Sequence, residues 1–488
     1  MTTQPTPAGK GDGPPPALAV EGPIGDLSPR ERALLLERPT DEGGGLEGEV
    51  RALMAEVRRE GDRALFRMAR DFDGTDLEVL EIPRERCDRA LEELDPEVRR
   101  GLERAARNLE RFHRAQIPAD VEVEVEPGVR LGRRAVPLDA VGVYAPGGTA
   151  AYPSSVLMGV VPARAAGVKT VVVCSPPGPS GEPPPAVLAA CAIAGADRLF
   201  AVGGAGAVAA LTWGTETVPR VDAVVGPGNR WVTEAKRQVA GLIRIDLPAG
   251  PSEVLVVAAP EADPELVAAE LVAQAEHDPW AAVAAVSWSP ELLVRIREAL
   301  ARRVAEAPRR SVVEQALARR GALLLATDRG EALAFAREYA AEHLALHTED
   351  PEDDLEDQTT AGTVFLGEPS SVAFGDYMTG ANHVLPTSGR SRSFSGLSTL
   401  DFLRFLTWQE LSPEGAAAMA GDVVRLARNE GLPAHAEAAA LRGGVTGSQG
   451  PEAGTSPGSG TSGRAGSGEA PSAADGSRED GPDEGRAP

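Results

Sequence analysis

Glu342 and His343 are adjacent, where a helical stretch gives way to the apolar run Leu344-Ala345-Leu346. A neighbouring carboxylate and imidazole can divide the proton transfers of a two-stage reaction. The plainer alternative is a strand start with a solvated Glu and a packed His. The chain has only six histidines, so any grouping among them carries weight. Gln274 and His277 are three apart near a helix end and so face one way, whereas Glu276 between them points elsewhere. Asp376 lies in Gly375-Asp376-Tyr377 and His383 closes Gly380-Ala381-Asn382-His383. His435 ends Glu430-Gly431-Leu432-Pro433-Ala434-His435. An amide oxygen, imidazoles and a carboxylate make an N/O donor set suited to Zn²⁺ or Mn²⁺. Spacing alone does not assemble them, because a lone helical histidine is more often structural. His113 reads as a surface or groove histidine, and His347 as structural.

Small residues mark three further places. Gly204-Ala205-Gly206-Ala207-Val208-Ala209 follows a short apolar strand and opens a helix, fitting G-x-G-x-x-A. Such a turn lets backbone N–H groups approach a pyrophosphate. With 54 glycines in the chain, plain tight helix–strand packing explains the pattern better. The acidic residue expected about 20 positions on could only be Asp222, which precedes its strand instead of ending it. Tyr144-Ala145-Pro146-Gly147-Gly148-Thr149 and Gly226-Pro227-Gly228-Asn229 also sit where strands end. In open α/β sheets ligands bind at such carboxyl edges.

The elements that must position these residues alternate. Short β-branched runs at 170–174, 199–202, 223–225, 254–258, 282–287 and 323–326 alternate with helical stretches at 155–166, 185–194, 231–239, 264–276 and 290–306. Continuous apolar strands joined by helices predict parallel sheets covered on both faces. Ahead of them, Ser28-Pro29-Arg30-Glu31 is a capping box. Amphipathic stretches follow at 46–72 and 84–116, and helix returns at 400–409 and 413–428.

Composition narrows the classes. In 488 residues, 73 acidic against 49 basic side chains give a formal charge of −24. That surface repels phosphate backbones and disfavours nucleic-acid binding. No apolar run approaches the roughly 20 residues of a membrane span, and the first 25 residues lack the apolar core of a secretory signal. Cys87, Cys174 and Cys191 form no CxxC pair, which fits reduced thiols in a cytoplasm. From Gly443 onward the Gly, Ser, Pro and charge content predicts a solvated acidic tail.

Taken together, the chain resembles histidinol dehydrogenases from about residue 27 to 442. The blocks that carry the resemblance are Val143 to Thr149, Val225 to Asn229, and Leu247-Pro248-Ala249-Gly250-Pro251-Ser252-Glu253. Gln274-Ala275-Glu276-His277-Asp278-Pro279, Gly380 to Thr387, and Glu430 to His435 complete the set in family order. The resemblance implies oxidation of L-histidinol to L-histidine by two NAD⁺ in succession, the last step of histidine biosynthesis. It implies Zn²⁺ held by Gln274, His277, Asp376 and His435. Glu342 and His343 would be the acid–base pair. Substrate contacts would come from Ser252, His383 and Glu430, together with the four zinc ligands and His343. Tyr144 and Asn229 would contact NAD⁺. The family usually has Gln where this chain has Gly206, so one cofactor hydrogen bond, worth about 0.5–1.5 kcal/mol, is missing unless a closer approach at Gly206 compensates.

The resemblance also implies an intertwined homodimer in which Glu430 and His435 complete the neighbouring subunit's site. The expected fold is α/β, with two Rossmann-like parallel-sheet domains and a helical C-terminal extension. The first domain would span 26–143 plus 254–397 on the metal and substrate side, and the second 144–253 on the NAD side. The extension would cover 398–442, between a disordered segment at 1–25 and the tail at 443–488. The nearest alternative is a zinc-dependent NAD dehydrogenase on the same scaffold acting on another polar alcohol, such as a sulfonated diol. A metal-dependent hydrolase and a non-catalytic interaction protein are more distant readings.

Overall fold

The computed structural model describes residues 16–38, 45–147, 152–247 and 250–444. The expected N-terminal segment up to residue 15 and the tail beyond 444 lie outside the described residues, as do Gly148, Thr149, Pro248 and Ala249. In chain order the strands are β1 (Val20–Pro23), β2 (Glu81–Ile82), β3 (Val121–Glu126), β4 (Val129–Pro137), β5 (Ala140–Tyr144), β6 (Thr170–Ser175), β7 (Arg198–Ala201), β8 (Ala223–Val225), β9 (Arg244–Ile245), β10 (Glu253–Ala258), β11 (Ala282–Ser287), β12 (Gly321–Leu325), β13 (His343–His347), β14 (Thr363–Leu366) and β15 (Leu403–Leu411).

Two six-stranded sheets organise the chain. One runs β2-β7-β6-β5-β8-β9 and the other β1-β12-β11-β10-β13-β14. Every pairing in the second is parallel. In the first, only the edge strand β2 is antiparallel. In each sheet the first strand of the wound set lies centrally, and the strand order reverses beside it: between β5 and β8, and between β10 and β13. Such reversals open a crevice at one sheet edge. All six residues of β10 and of β11 are buried, as a strand covered on both faces requires. Each fully buried Val or Leu there contributes roughly 1.5–3 kcal/mol.

Three expected boundaries move. Val20–Pro23 had been assigned to a disordered segment, yet it pairs with Ala322 to Leu325 as an edge strand, burying Val20. Residues 46–143 do not join the metal-side sheet. Val50, Met54, Val57 and Leu65 pack with Tyr144, Val172 and Phe200 on one face of the β5-containing sheet, while Cys87 and Leu109 pack with Val141 and Val171 on the other. The amphipathic helices thus cover the sheet that follows them in sequence, a link that periodicity does not reveal. The helix expected at 400–409 is a one-turn 3₁₀ helix, Thr399–Phe402, followed by β15. Phe405, Thr407 and Trp408 are strand formers, and β15 finds a partner in β4 within the sheet β15-β4-β3.

The chain divides into two compact units, Met1–Val123 with Leu131–Gln409, and Glu124–Arg130 with Glu410–Pro488. In the second, helices Pro413–Asn429 and Pro433–Arg442 pack through Val424, Ala427 and Ala436. Gly431, at φ +74°, turns the chain between them. Among the described residues no helix is long and apolar enough to cross a membrane.

His113 corrects another expectation. It is fully buried, with Nδ1 donating to the Gln116 side-chain oxygen at 3.0 Å while Thr399 Oγ1 donates to its carbonyl at 2.6 Å. Burial lowers its pKa to about 4. The unfolded chain takes up this proton near pH 6.5 and the folded chain does not, so the stability present above pH 6.5 falls as pH drops toward 4. The contribution is on the order of 3 kcal/mol at full effect, at about 1.4 kcal/mol per pH unit. In thermal melts, His113→Leu is expected to lose less Tm than wild type between pH 7 and pH 5. An equal loss in both proteins contradicts this role.

Candidate active site

The chain leaves the first sheet at the carboxyl end of β9 and enters the second at the amino end of β10, across residues 246–252. Glu253 and His343 open β10 and β13, so Glu342 and His343 lie at the amino edge of their sheet, beside its strand-order reversal. Carboxyl-edge placement holds for the other set, where Tyr144 ends β5 and Gly226 follows β8. The loop after β14 reaches both the helix that follows β5 and the segment that precedes β10. Asn382 Nδ2 donates to the Met158 carbonyl at 2.8 Å, and Gly250 N–H donates to Thr387 Oγ1 at 2.6 Å.

His343 is 3% exposed. Its Nδ1 lies 2.9 Å from the Glu253 carbonyl. A carbonyl only accepts, so Nδ1 carries the hydrogen and the Nε2 lone pair is left available. Nε2 faces Asp376 Oδ1 at 3.8 Å. Burial lowers the imidazole pKa to about 4, so the ring is neutral at pH 7. Glu342 is equally buried and its Oε2 accepts from Glu253 N–H at 2.6 Å. Desolvation, then the neighbouring Glu253, raise its pKa well above the ordinary carboxyl value. A neutral imidazole beside a high-pKa carboxyl can pass protons in either direction.

Asp376, His383 and His277 interact with this pair or with one another. His383 donates from Nδ1 to the Asp376 carbonyl at 3.1 Å, with Nε2 3.5 Å from Ser155 Oγ, and burial brings its pKa to about 4. Burial, then Glu270, raise the Asp376 carboxyl to about 7. Among the described residues no Lys or Arg pairs with Asp376. Gln274 is 3% exposed one turn before His277, whose pKa burial lowers. His277 acts electrostatically on both His343 and His383. Ser252 directly precedes Glu253, its carbonyl accepting from Ala282 N–H. Among the described residues no group of three or more His, Cys, Asp and Glu could hold a metal. Glu430 and His435 lie exposed in the second unit. The donors of the first unit are therefore an amide, an imidazole and a carboxylate. A half-buried carboxylate without a cationic partner is what a divalent cation would neutralise, so these donor types fit part of a zinc site.

The proposed cofactor residues occupy the other edge. Asn229 caps helix Arg230–Val239, its Oδ1 accepting from Trp231 N–H and Val232 N–H, which leaves its exposed amide N–H groups free to donate. The buried Lys236 amine donates to the Gly226 carbonyl at 2.9 Å and pairs with Asp246, fixing the loop. Gly226 has φ +112°, and a Cβ there would lie 2.1 Å from the Tyr144 carbonyl oxygen, so only glycine fits. Tyr144 is buried, its hydroxyl accepting from Gly204 N–H at 3.2 Å. Gly206 is buried and faces helix Asp62–Asp73, since a Cβ there would meet Met68 Sδ at 3.0 Å and Leu65 Cδ2 at 3.3 Å. Asp222 Oδ2 accepts from the N–H groups of Asp139 and Ala140 at the amino end of β8, the edge opposite Tyr144 and Gly226. Sequence reading passed over Arg38 and treated Glu253 only as the neighbour of Ser252. A charged residue opening the apolar run 254–258 was the available signal for Glu253.

Two doubly wound parallel sheets, with the buried Glu342 and His343 side chains at the amino edge of one of them, define an α/β protein of two Rossmann-like layers. The family model for histidinol dehydrogenase matches residues 36–443, and the chain belongs to that family of oxidoreductases. It is similar to the histidinol dehydrogenase of Haloarcula marismortui, with 49% identity covering 86% of this chain and 98% of the relative. The Methanothermobacter thermautotrophicus histidinol dehydrogenase is 46% identical, covering 85% and 97%. The crystal structure of histidinol dehydrogenase from Elizabethkingia anophelis matches with TM-score 0.83 and 34% identity, covering 87% of this chain and 98% of that one. These similarities do not favour the sulfonated-diol alternative.

Proposed function

We propose that this chain oxidises L-histidinol to L-histidine with two NAD⁺ in succession, as the last step of histidine biosynthesis in the cytoplasm. The observation that carries the proposal is the meeting of the buried Glu342 and His343 with the half-buried His383 and Asp376, in a chain of this family. Gln274, His277 and Asp376, joined by His435, would hold Zn²⁺. The metal would supply a fixed seat for the substrate's imidazole and amine nitrogens, turning binding into orientation. NAD⁺, contacted at Tyr144, Asn229 and the first turn of helix Gly204–Trp213, would accept each hydride.

The protein's own groups move the protons. His343 Nε2 takes the hydroxyl proton as the first hydride leaves the carbinol carbon, giving the aldehyde, NADH and a proton. Glu342 then accepts a proton from water as that water's oxygen bonds to the aldehyde carbon. The resulting hydrate anion gives up the second hydride and its remaining hydroxyl proton, and the carboxylate results. Ser252, His383 and Glu430 would hold the substrate while this proceeds.

Glu430 and His435 stand on a unit whose helices expose Val423, Leu426, Leu432 and Leu441. An apolar face of that kind beside polar ligands suits a subunit contact, which supports a homodimer with these two residues acting in trans. Mixing inactive His343→Ala and His435→Ala proteins is expected to restore partial NADH production through hybrid dimers. No restoration despite proven subunit exchange contradicts the trans assignment.

A further inference from the structure

Arg38 and Glu253 form an ion pair with Nε–Oε1 at 2.8 Å, each side chain 1% exposed. Each guanidinium nitrogen makes a hydrogen bond. Nη1 donates to the Leu35 carbonyl at 2.5 Å, Nη2 donates to the Tyr339 carbonyl at 2.8 Å, and the guanidinium carbon sits 3.9 Å from the centre of the Tyr339 ring. Glu253 Oε1 also accepts from Ser388 N–H at 2.8 Å. The peptide of this clamped residue then holds both acid–base side chains. Its N–H meets the Glu342 carboxyl and its carbonyl meets the His343 imidazole.

Backbone strain gathers at the same place. Among the described residues, Arg38 (φ +38°), Ala340 (φ +51°) and Ser388 (φ +56°) are the non-glycines with positive φ. Arg38 is the clamp, Ser388 donates to Glu253, and Ala340 lies between the Tyr339 acceptor and Glu342. Left-handed backbone at non-glycine residues persists where surroundings over-determine it, and it clusters at functional sites. A buried ion pair is weak support for stability, since well-packed apolar residues often serve as well. We infer that the Arg38–Glu253 pair is a positioning device: it fixes the Glu253 peptide and thereby orients the Glu342 carboxyl and the His343 imidazole. This rests on the acid–base reading of those two residues.

The test compares full-length Arg38→Met/Glu253→Gln with wild type, Arg38→Lys, Glu342→Gln and His343→Gln, reading Tm, kcat and both KM values. Neutralising both charges together avoids a lone buried ion, so the double variant should melt near wild type. Its kcat should nevertheless fall about 10–100-fold, the scale of an ångström-level misplacement, with both KM values within about twofold. Adding Glu342→Gln should cost less than the product of the separate losses. A double variant that melts and turns over like wild type overturns the inference, leaving the pair merely structural. Should it fail to fold, Arg38→Lys, which keeps the charge but loses the planar fork, should lower kcat without raising KM; unchanged kcat there overturns the inference equally. If Glu342→Gln and His343→Gln themselves leave kcat intact, the acid–base reading has failed and takes the inference with it. If those two fall and the pair variants do not, only the positioning role is lost.

Discussion

His343→Gln is expected to lower kcat for histidinol oxidation by about 10²–10⁴-fold, the usual worth of a positioned general base. Glutamine approximates the imidazole in volume and keeps an N–H that can donate to the Glu253 carbonyl, so the local fold should survive. What it lacks is the Nε2 lone pair that faces Asp376. Burial lowers the His343 pKa to about 4, which keeps that lone pair unprotonated across the neutral range. Tm and KM for NAD⁺ should change little, because Tyr144 and Asn229, the residues proposed to contact the cofactor, belong to the other sheet. A kcat within twofold of wild type contradicts the assignment.

Glu342→Gln should separate the two oxidations. The amide can still accept from Glu253 N–H, so the side chain stays in place. It cannot accept a proton from water. Burial makes the native carboxylate a stronger base than an exposed one, because its conjugate acid is harder to ionise. Turnover of supplied histidinal to histidine is therefore expected to fall about 10²–10⁴-fold. A rapid first hydride transfer from histidinol should survive as a burst of NADH. Equal loss of both steps contradicts a role confined to the second.

Much of the fold was legible because the chemistry of a buried parallel strand is simple. Runs such as Val254 to Ala258 can only be buried, and observed strand limits lie within a residue or two of the expected ones. The capping box at Ser28 is present with both of its hydrogen bonds. Long-range pairings were not legible. Nothing local in Val20–Pro23 says that it will extend a sheet whose other strands begin more than 200 residues later. Nor does the amphipathic pattern of 46–72 say which sheet it covers, although Gly61 divides it into two helices. The strand β15 was missed because its alternation is weak, and most of its residues are exposed on both faces.

The site divides along the same line. Glu342 and His343 stood out as neighbours with complementary chemistry, and residue type alone suggested the carboxylate, amide and imidazole donors. The clamp beneath them was invisible. Arg38 and Glu253 are 215 positions apart, and neither type is unusual in a chain this rich in charge. Their meaning comes from burial and from the peptide groups of Glu253, which only the three-dimensional arrangement supplies.

The most direct test of the account is the NADH yield per L-histidinol, measured to completion before and after chelation and again after Zn²⁺ is returned. Two NADH per histidinol, lost on chelation and recovered with Zn²⁺, is the predicted result. A yield of one, or full turnover that survives proven removal of the metal, would contradict it.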